Sequence, residues 1–463
     1  MARRFRTILL LISAALVGGC SSVATRRGFY EPITAELRSG RPDTSLAMLE
    51  AARENNKYAE KDRLIYFIDA GMLSHYAGQY RLSNDKLHLA EAAAEELFTR
   101  SVSRAAASLL LNDNVLEYAG DDYEVVYTNL IKALNYLQLG AFDDAFVEIR
   151  RANLKLDLLQ QKYGDAAAQY RQGLKRDSAG VSFDFEVDKV RFQNDAFARY
   201  LSMHMYAADG RMDDARIDYD YLTAAFATQP HVYDFPMPEV KYRPENGVIL
   251  SVVGLAGLAP IKEPLRLRIR TDKDLDLVQV LYDGPEKEDV EYGHLPVEVE
   301  EDYYFKFAIP VLVPRPSNVG SIRVLADDDV IGELQLLEDV SKVALETFNA
   351  KKSLIYIRSV ARAVAKGLAT HRWKKKVDTG GLAGWLKKAA IDVASDVSED
   401  ADLRSSRFLP GRIYVGDFEI EPGVYDITIE FYDARGDFIE ATRYQGYQVS
   451  PRGLNLLRAY SIN

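Results

Sequence analysis

A pattern of small and aromatic residues recurs four times in the first half of the chain. A stacked repeat narrows the possible folds more than any other sequence feature. In the clearest copy, Ala133 and Tyr136 precede Gly140, and Phe142, Ala145, Ile149 and Ala152 follow it. Ala133 lets a second helix approach closely, Gly140 ends the first helix, and Phe142 caps the turn. Ala145, Ile149 and Ala152 stand at i, i+4 and i+7, on one face of the second helix. A second copy contains Phe67, Ala70, Gly71, Gly78, Tyr80, Ser83, Leu87 and Ala90, and a third contains Tyr206, Gly210, Met212, Ala215, Tyr219 and Leu222. A weaker copy with Gly40, Ser45, Leu49 and Ala52 opens the series. The turn glycines lie 38, 62 and 70 residues apart, so extra helices must fill the gaps, around Ser101 to Leu111 and Asp165 to Leu174.

This spacing resembles the tetratricopeptide (TPR) unit; the plainer reading is a helical bundle with small residues at its crossings. Near Thr228 the pattern changes. Residues 229–247 hold Pro230, Pro236, Pro238 and Pro244, as in a rigid linker or wrapped connection. Val248 to Val253 then reads as a buried strand ending at Gly254 and Gly257. Leu265, Leu267 and Ile269 alternate with Arg266, Arg268 and Arg270, a half-buried strand with a basic outer face. Ile322 to Leu336 predicts a hairpin turning at Asp327 to Asp329, and Tyr425 to Val449 predicts another turning at Asp433 to Asp437. The expected fold is therefore α+β: a TPR-like helical array over 31–228, then an antiparallel β-rich domain over 248–463 with a helical insertion at about 338–400.

That insertion reverses the charge of an otherwise acidic chain, which carries a net −11. Lys351 to Lys376 holds nine Lys or Arg, among them Lys351, Lys352, Arg358, Arg362, Lys366, Lys374, Lys375 and Lys376, and no acid. Both tryptophans, Trp373 and Trp385, lie here. A basic amphipathic helix edged with Trp suits a membrane surface or an acidic partner. A helix packed on the sheet with its lysines in water explains the same residues. The acidity of the rest argues against nucleic acid.

The start of the chain sets the compartment. Arg3, Arg4 and Arg6 precede an apolar run from Ile8 to Val17, and Gly18-Gly19-Cys20-Ser21 follow. This is the layout of an export signal, and its apolar run is shorter than the roughly 20 residues that span a bilayer. Val17-Gly18-Gly19-Cys20 resembles the bacterial lipobox, in which the chain is cut before a diacylated cysteine; an ordinary secretory signal is the competing reading. Residues 1–19 are then the signal and 20–30 a tether. Ser21, in place of the Asp of the inner-membrane retention signal, resembles the pattern of outer-membrane lipoproteins. Cys20 is the one cysteine, so with its thiol acylated there is no disulfide and no thiolate metal site.

Motifs of chemistry are missing from the sequence. His75, His88, His204, His231, His294 and His371 lack metal-helix spacing, and no nucleophile elbow or phosphate loop occurs. Asp272, Asp274 and Asp276 begin like a calcium loop, but Leu277 replaces the turn glycine and Asp283 stands at the twelfth position.

Three stretches together resemble a family of uncharacterised TPR-containing bacterial outer-membrane lipoproteins: Tyr127 to Leu156 with Gly140-Ala141-Phe142, Gly257 to Lys262, and Ala401-Asp402-Leu403-Arg404-Ser405 through Leu409-Pro410 to Pro422-Gly423. Ser406 stands where that family would carry an aromatic. The resemblance implies architecture and location, with no catalytic residues to carry over. It suggests a non-enzymatic scaffold, lipid-anchored through Cys20, whose array binds a periplasmic or envelope protein and which needs no cofactor or metal. A glycan- or cell-wall-binding surface lipoprotein is the alternative, given 28 tyrosines as stacking platforms.

Overall fold

The computed structural model describes residues 24, 26–108, 116–158, 194–272, 274, 277–282, 291–296, 304–349, 355 and 401–463. Cys20 and the basic residues from Lys351 through Trp385 lie outside them, as does 165–174. The coarse α+β division holds: helices fill the first half and sheets the second.

The helices form hairpins. They pair α1 (Arg27–Arg38) with α2 (Pro42–Glu54), α3 (Arg63–Tyr76) with α4 (Tyr80–Ser108), α5 (Asp122–Gln138) with α6 (142–158), and α7 (Ala196–Ala208) with α8 (Met212–Thr228). Each hairpin turns at one of the glycines singled out by the sequence. Gly40, Gly78, Gly140 and Gly210 have φ of 70°, 71°, 70° and 77°, the left-handed region that ends a helix. Five residues beyond each turn sits a small, fully buried residue: Ser45, Ser83, Ala145 and Ala215. The two serines donate to carbonyls of the preceding helix, Ser45 to Ile33 at 2.9 Å and Ser83 to Gly71 at 2.7 Å. Ala52, Ala90, Ala152 and Leu222, seven residues further on, are also buried. At Gly71 the helices nearly touch: a Cβ there would lie 2.5 Å from Leu87 Cδ2. Helix α1 begins inside the stretch expected to be tether, and Ala24 just before it is fully buried.

Three sheets follow. The first has order β12-β1-β9-β8, from β1 (Val248–Leu258), β8 (Gln335–Asp339), β9 (Pro410–Ile420) and β12 (Asn455–Ser461). The second has order β11-β10-β6-β7, from β6 (Val319–Ala326), β7 (Asp329–Glu333), β10 (Gly423–Asp433) and β11 (Phe438–Val449). The third has order β4-β3-β2-β5, from β2 (Ile261–Asp272), β3 (Leu277–Tyr282), β4 (Glu291–Pro296) and β5 (Tyr304–Val313). The predicted hairpins are present, with Asp327 and Asp328 supplying the left-handed turn residues between β6 and β7. One pairing departs from the antiparallel expectation: β12 runs parallel to β1, Leu250 opposite Asn455. Asp272 ends β2 and accepts the amide of Asp274 at 3.0 Å, while Asp276 lies outside the described residues.

Strand β1 is buried on both faces, so it reads as a nearly unbroken apolar run. Leu250, Val252 and Ala256 pack against Ile322, Ile427, Ile429 and Phe431 of the second sheet. Val253 and Leu255 join a core shared with the helices. The first sheet is thus the middle layer between helices and second sheet. Gly254 does not end the strand: it lies where a Cβ would meet Ile322 and Leu334 side chains at 2.8 and 2.9 Å. The Pro-rich 229–247 segment is wrapped onto the body, with Val232 and Tyr233 buried and the Lys241 amide donating to Asp417. Of the 338–400 insertion, a helix over 340–349 is described; Val343 and Phe348 are buried.

Candidate functional site

The most developed polar structure lies along the seam between the hairpins and the middle sheet. It is built by the first helices of the last three hairpins. Tyr76 on α3 donates its hydroxyl to the Phe408 carbonyl at 2.9 Å, Tyr127 on α5 to Glu338 at 2.5 Å, and Tyr200 on α7 to Asp417 at 2.8 Å. One hydroxyl per helix reaches into the β half.

The densest part surrounds residues 401–409, the loop leading into β9. Asp121 caps α5, and Glu124 closes the capping box through the Asp121 amide at 2.8 Å. The same Glu124 carboxylate accepts the Tyr118 hydroxyl at 2.7 Å and the Ser406 amide at 2.5 Å. From α3, Asp69 accepts the next amide, Arg407, at 2.7 Å and the Ser406 hydroxyl at 3.1 Å. Arg404 grips Asp402 through two nitrogens at 2.8 Å each and reaches Asp62 at 3.0 Å and the Leu116 carbonyl at 2.8 Å. Lys262 approaches Asp121 at 2.8 Å. Arg315 ties the Ala259 and Arg407 carbonyls together at 2.5 and 2.7 Å.

Burial dominates the electrostatics. It raises Asp69 to about 7, and it raises Glu124 to about 7 with help from Asp121. Arg315 is pushed down to about 9 by burial and by the neighbouring Arg407. Burial opposes the charge of Asp402 as well, but Arg404 outweighs it and holds the carboxyl below its usual range. A second station caps α7. Asp195 accepts the Ala198 amide at 2.7 Å, and Glu338 accepts the Phe197 amide at 2.9 Å. Burial, and then Asp195, push Glu338 well up.

A third station joins Ser251, His204 and Asp417 beneath a cleft of about 440 Å³ between the α7–α8 turn and the β11–β12 turn. These are the residue types of a hydrolase triad, but they are ordered differently. Ser251 donates to Asp417 at 2.8 Å and stands 3.3 Å from His204 Nδ1, while His204 Nε2 faces the same carboxylate at 3.1 Å. A relay needs the serine proton directed to a base that the acid orients from behind. Here the serine proton goes to the acid itself, and the imidazole does not stand between them as its acceptor. Burial works against the Asp417 charge, and His204 beside it prevails, lowering its pKa.

Inside the array, His88, Glu91 and Glu148 converge to within 4.8 Å of one another, as metal ligands would. Lys132 fills that position: its fully buried ammonium lies 2.7 Å from Glu91 and 2.8 Å from Glu148. Lys155 adds a second cation 2.6 Å from Glu91. Burial works against the Glu91 charge, and Lys155 with the other donors lowers its pKa strongly. The set is neutralised by the chain itself and does not suit a divalent ion.

The residues read from the repeat pattern fall where packing needs them. Gly71, Ala90, Ala133, Ala145, Ala152 and Ala215 lie between helices; Gly78, Gly140 and Gly210 lie in turns. Phe142 stacks edge-on against Phe146 at 5.1 Å. Tyr136 meets His88 at 3.0 Å, and Tyr80 accepts Arg458 from β12 at 2.6 Å. Sequence reasoning missed Asp69, Glu124, Glu338 and Asp417. The one readable signal was the Asp121–Glu124 capping box. No family model matches the chain, and neither does any curated protein or solved structure.

Proposed function

We propose that this chain is a non-enzymatic, lipid-anchored adaptor of the bacterial outer membrane. Its TPR-like array is held by its own β half and meets a periplasmic or envelope protein with its outward helices. The four hairpins, with turn glycines and small residues at fixed offsets, support the TPR-like reading. The lipobox at Cys20 supports the anchor. Among the described residues no helix is long and apolar enough to cross a membrane.

One observation carries the choice of face. Stacked helical repeats usually bind through their concave surface, yet here the first helices α3, α5 and α7 turn toward the middle sheet. Among the described residues of the array, all but one (Leu139) of the large exposed apolar side chains lie on second helices: Leu89 on α4, Val147, Leu154 and Leu158 on α6, and Ile217 and Tyr221 on α8. Val147, Leu154 and Leu158 follow helical spacing along one stripe. Such a stripe suits a protein partner better than a sugar.

The test places a photo-reactive residue at Leu154 or Ile217 of the full chain in intact cells. A single dominant envelope protein crosslinked at both positions supports the adaptor. Absence of protein adducts, together with retention on a polysaccharide matrix, overturns it in favour of glycan binding.

A further inference from the structure

The α1–α2 hairpin turns at Gly40, so the start of α1 and the end of α2 lie together at its other end. There Gly28, Phe29 and Pro32 of α1 face Met48 and Ala51 of α2 across a groove of about 410 Å³, with Lys57 at its rim. Pro32 and Ala51 are exposed, and Phe29 and Met48 half-buried. A Cβ added at Gly28 would meet nothing within 4 Å, so the groove has open space at the point where the chain enters α1. Asn55 and Lys57 are its polar side chains, and the other lining side chains are apolar.

The position of the chain names the occupant. Ala24 is fully buried in the helical core. Cys20 lies four residues earlier, within about 14 Å even at full extension. Any lipid carried on Cys20 therefore starts beside the body and not at the end of a long tether. An unbranched acyl chain matches a narrow apolar groove lined by an adaptable Met and open at Gly28.

We propose that the α1–α2 groove takes one of the acyl chains carried by Cys20. This rests on the lipidation of Cys20 argued above. The seated chain holds α1 against the membrane surface and fixes the orientation of the whole body. In passage through water the same seat covers part of the lipid.

The experiment uses the full chain, exported and purified from membranes, with a photo-reactive residue replacing Met48. After irradiation, mass spectrometry is applied to the N-terminal peptide. The expected result is a crosslink between position 48 and the acyl group on Cys20. Ala51→Trp, at an exposed helical position, fills the groove and abolishes that crosslink without altering the melting curve. Acylated Cys20 with no adduct, or with adducts to phospholipid alone, overturns the groove and leaves the anchor standing. Adducts to residues 1–19 of an uncleaved chain overturn it too. An N-terminal peptide without acyl groups overturns both anchor and groove.

Discussion

The carboxylate of Glu124, in the first turn of α5, receives the amide of Ser406 at 2.5 Å, although 282 residues separate them. Asp69 holds the following amide. Two acids from two helices thus clamp consecutive peptide groups of the loop that leads into β9. That loop, residues 401–409, is thereby bound to the helical array through its backbone. Ser406 also donates its hydroxyl to Asp69.

The clamp makes stability depend on pH. Asp69 and Glu124 have folded values of about 7 against ordinary values of 3.8 and 4.5. Between those limits the folded state binds more protons than the unfolded one, so stability falls as pH rises toward 7. Glu338 acts in the same direction. Burial lowers the pKa of His75 and His88, which works the other way below about 6.5, but the three raised acids outweigh the two histidines, so the melting temperature is higher at pH 5 than at pH 8. Asp69→Asn, which keeps an accepting oxygen, flattens the profile. A melting temperature that rises from pH 5 to pH 8 contradicts this account.

Lys132 is the counter-charge for two buried acids. Lys132→Met leaves Glu91 and Glu148 facing each other with one fewer cation, a loss of about 3–5 kcal/mol in denaturant titrations. Lys132→Ala also frees the ligand set. Zinc should raise the melting temperature of Lys132→Ala while leaving the parent protein unchanged; an equal shift in both would show that the lysine does not block a metal.

Arg404 joins the 401–409 loop to Asp62, just ahead of α3, and to the Leu116 carbonyl. Its planar, two-nitrogen grip on Asp402 is not reproduced by a point charge. Arg404→Lys therefore weakens the loop, and Arg404→Met leaves Asp62 and Asp402 without it, a loss of about 3–5 kcal/mol. Limited proteolysis reports the change as new cleavage between residues 401 and 409. Unchanged protection in both variants would remove Arg404 from the latch.

At Gly71 two helices pack closely against each other. Gly71→Ala drives a methyl into Leu87 and destabilises by about 1–3 kcal/mol. Because Leu87 is the neighbour, Leu87→Ala in the same chain recovers part of that loss. Additive destabilisation in the double variant would mean that the crossing is not limited by this contact.

Much of the frame was legible in the sequence because it rests on local spacing. A glycine in a left-handed turn and a small residue five positions later are neighbours on one hairpin, so Gly140 and Ala145 declare their roles within a few residues. The same holds for Ile427, Ile429 and Phe431, whose alternation places them on one face of β10. Gly254 was misread because its reason is a side chain on another sheet: Ile322 fills the space that a Cβ would take.

The sequence by itself determined where the helical hairpins turn, where several of the strands lie, and that a cysteine follows an export-like signal, all matters of short-range geometry. Only the tertiary structure decided which helix face is covered and what the buried charges do. Asp69, Glu124 and Asp417 read as ordinary acids in an acidic chain. Their roles come from amides and hydroxyls 338, 282 and 217 residues away. A carboxylate's chemistry is set by what lies across from it and by how much water is excluded, and neither is written in its neighbours along the chain.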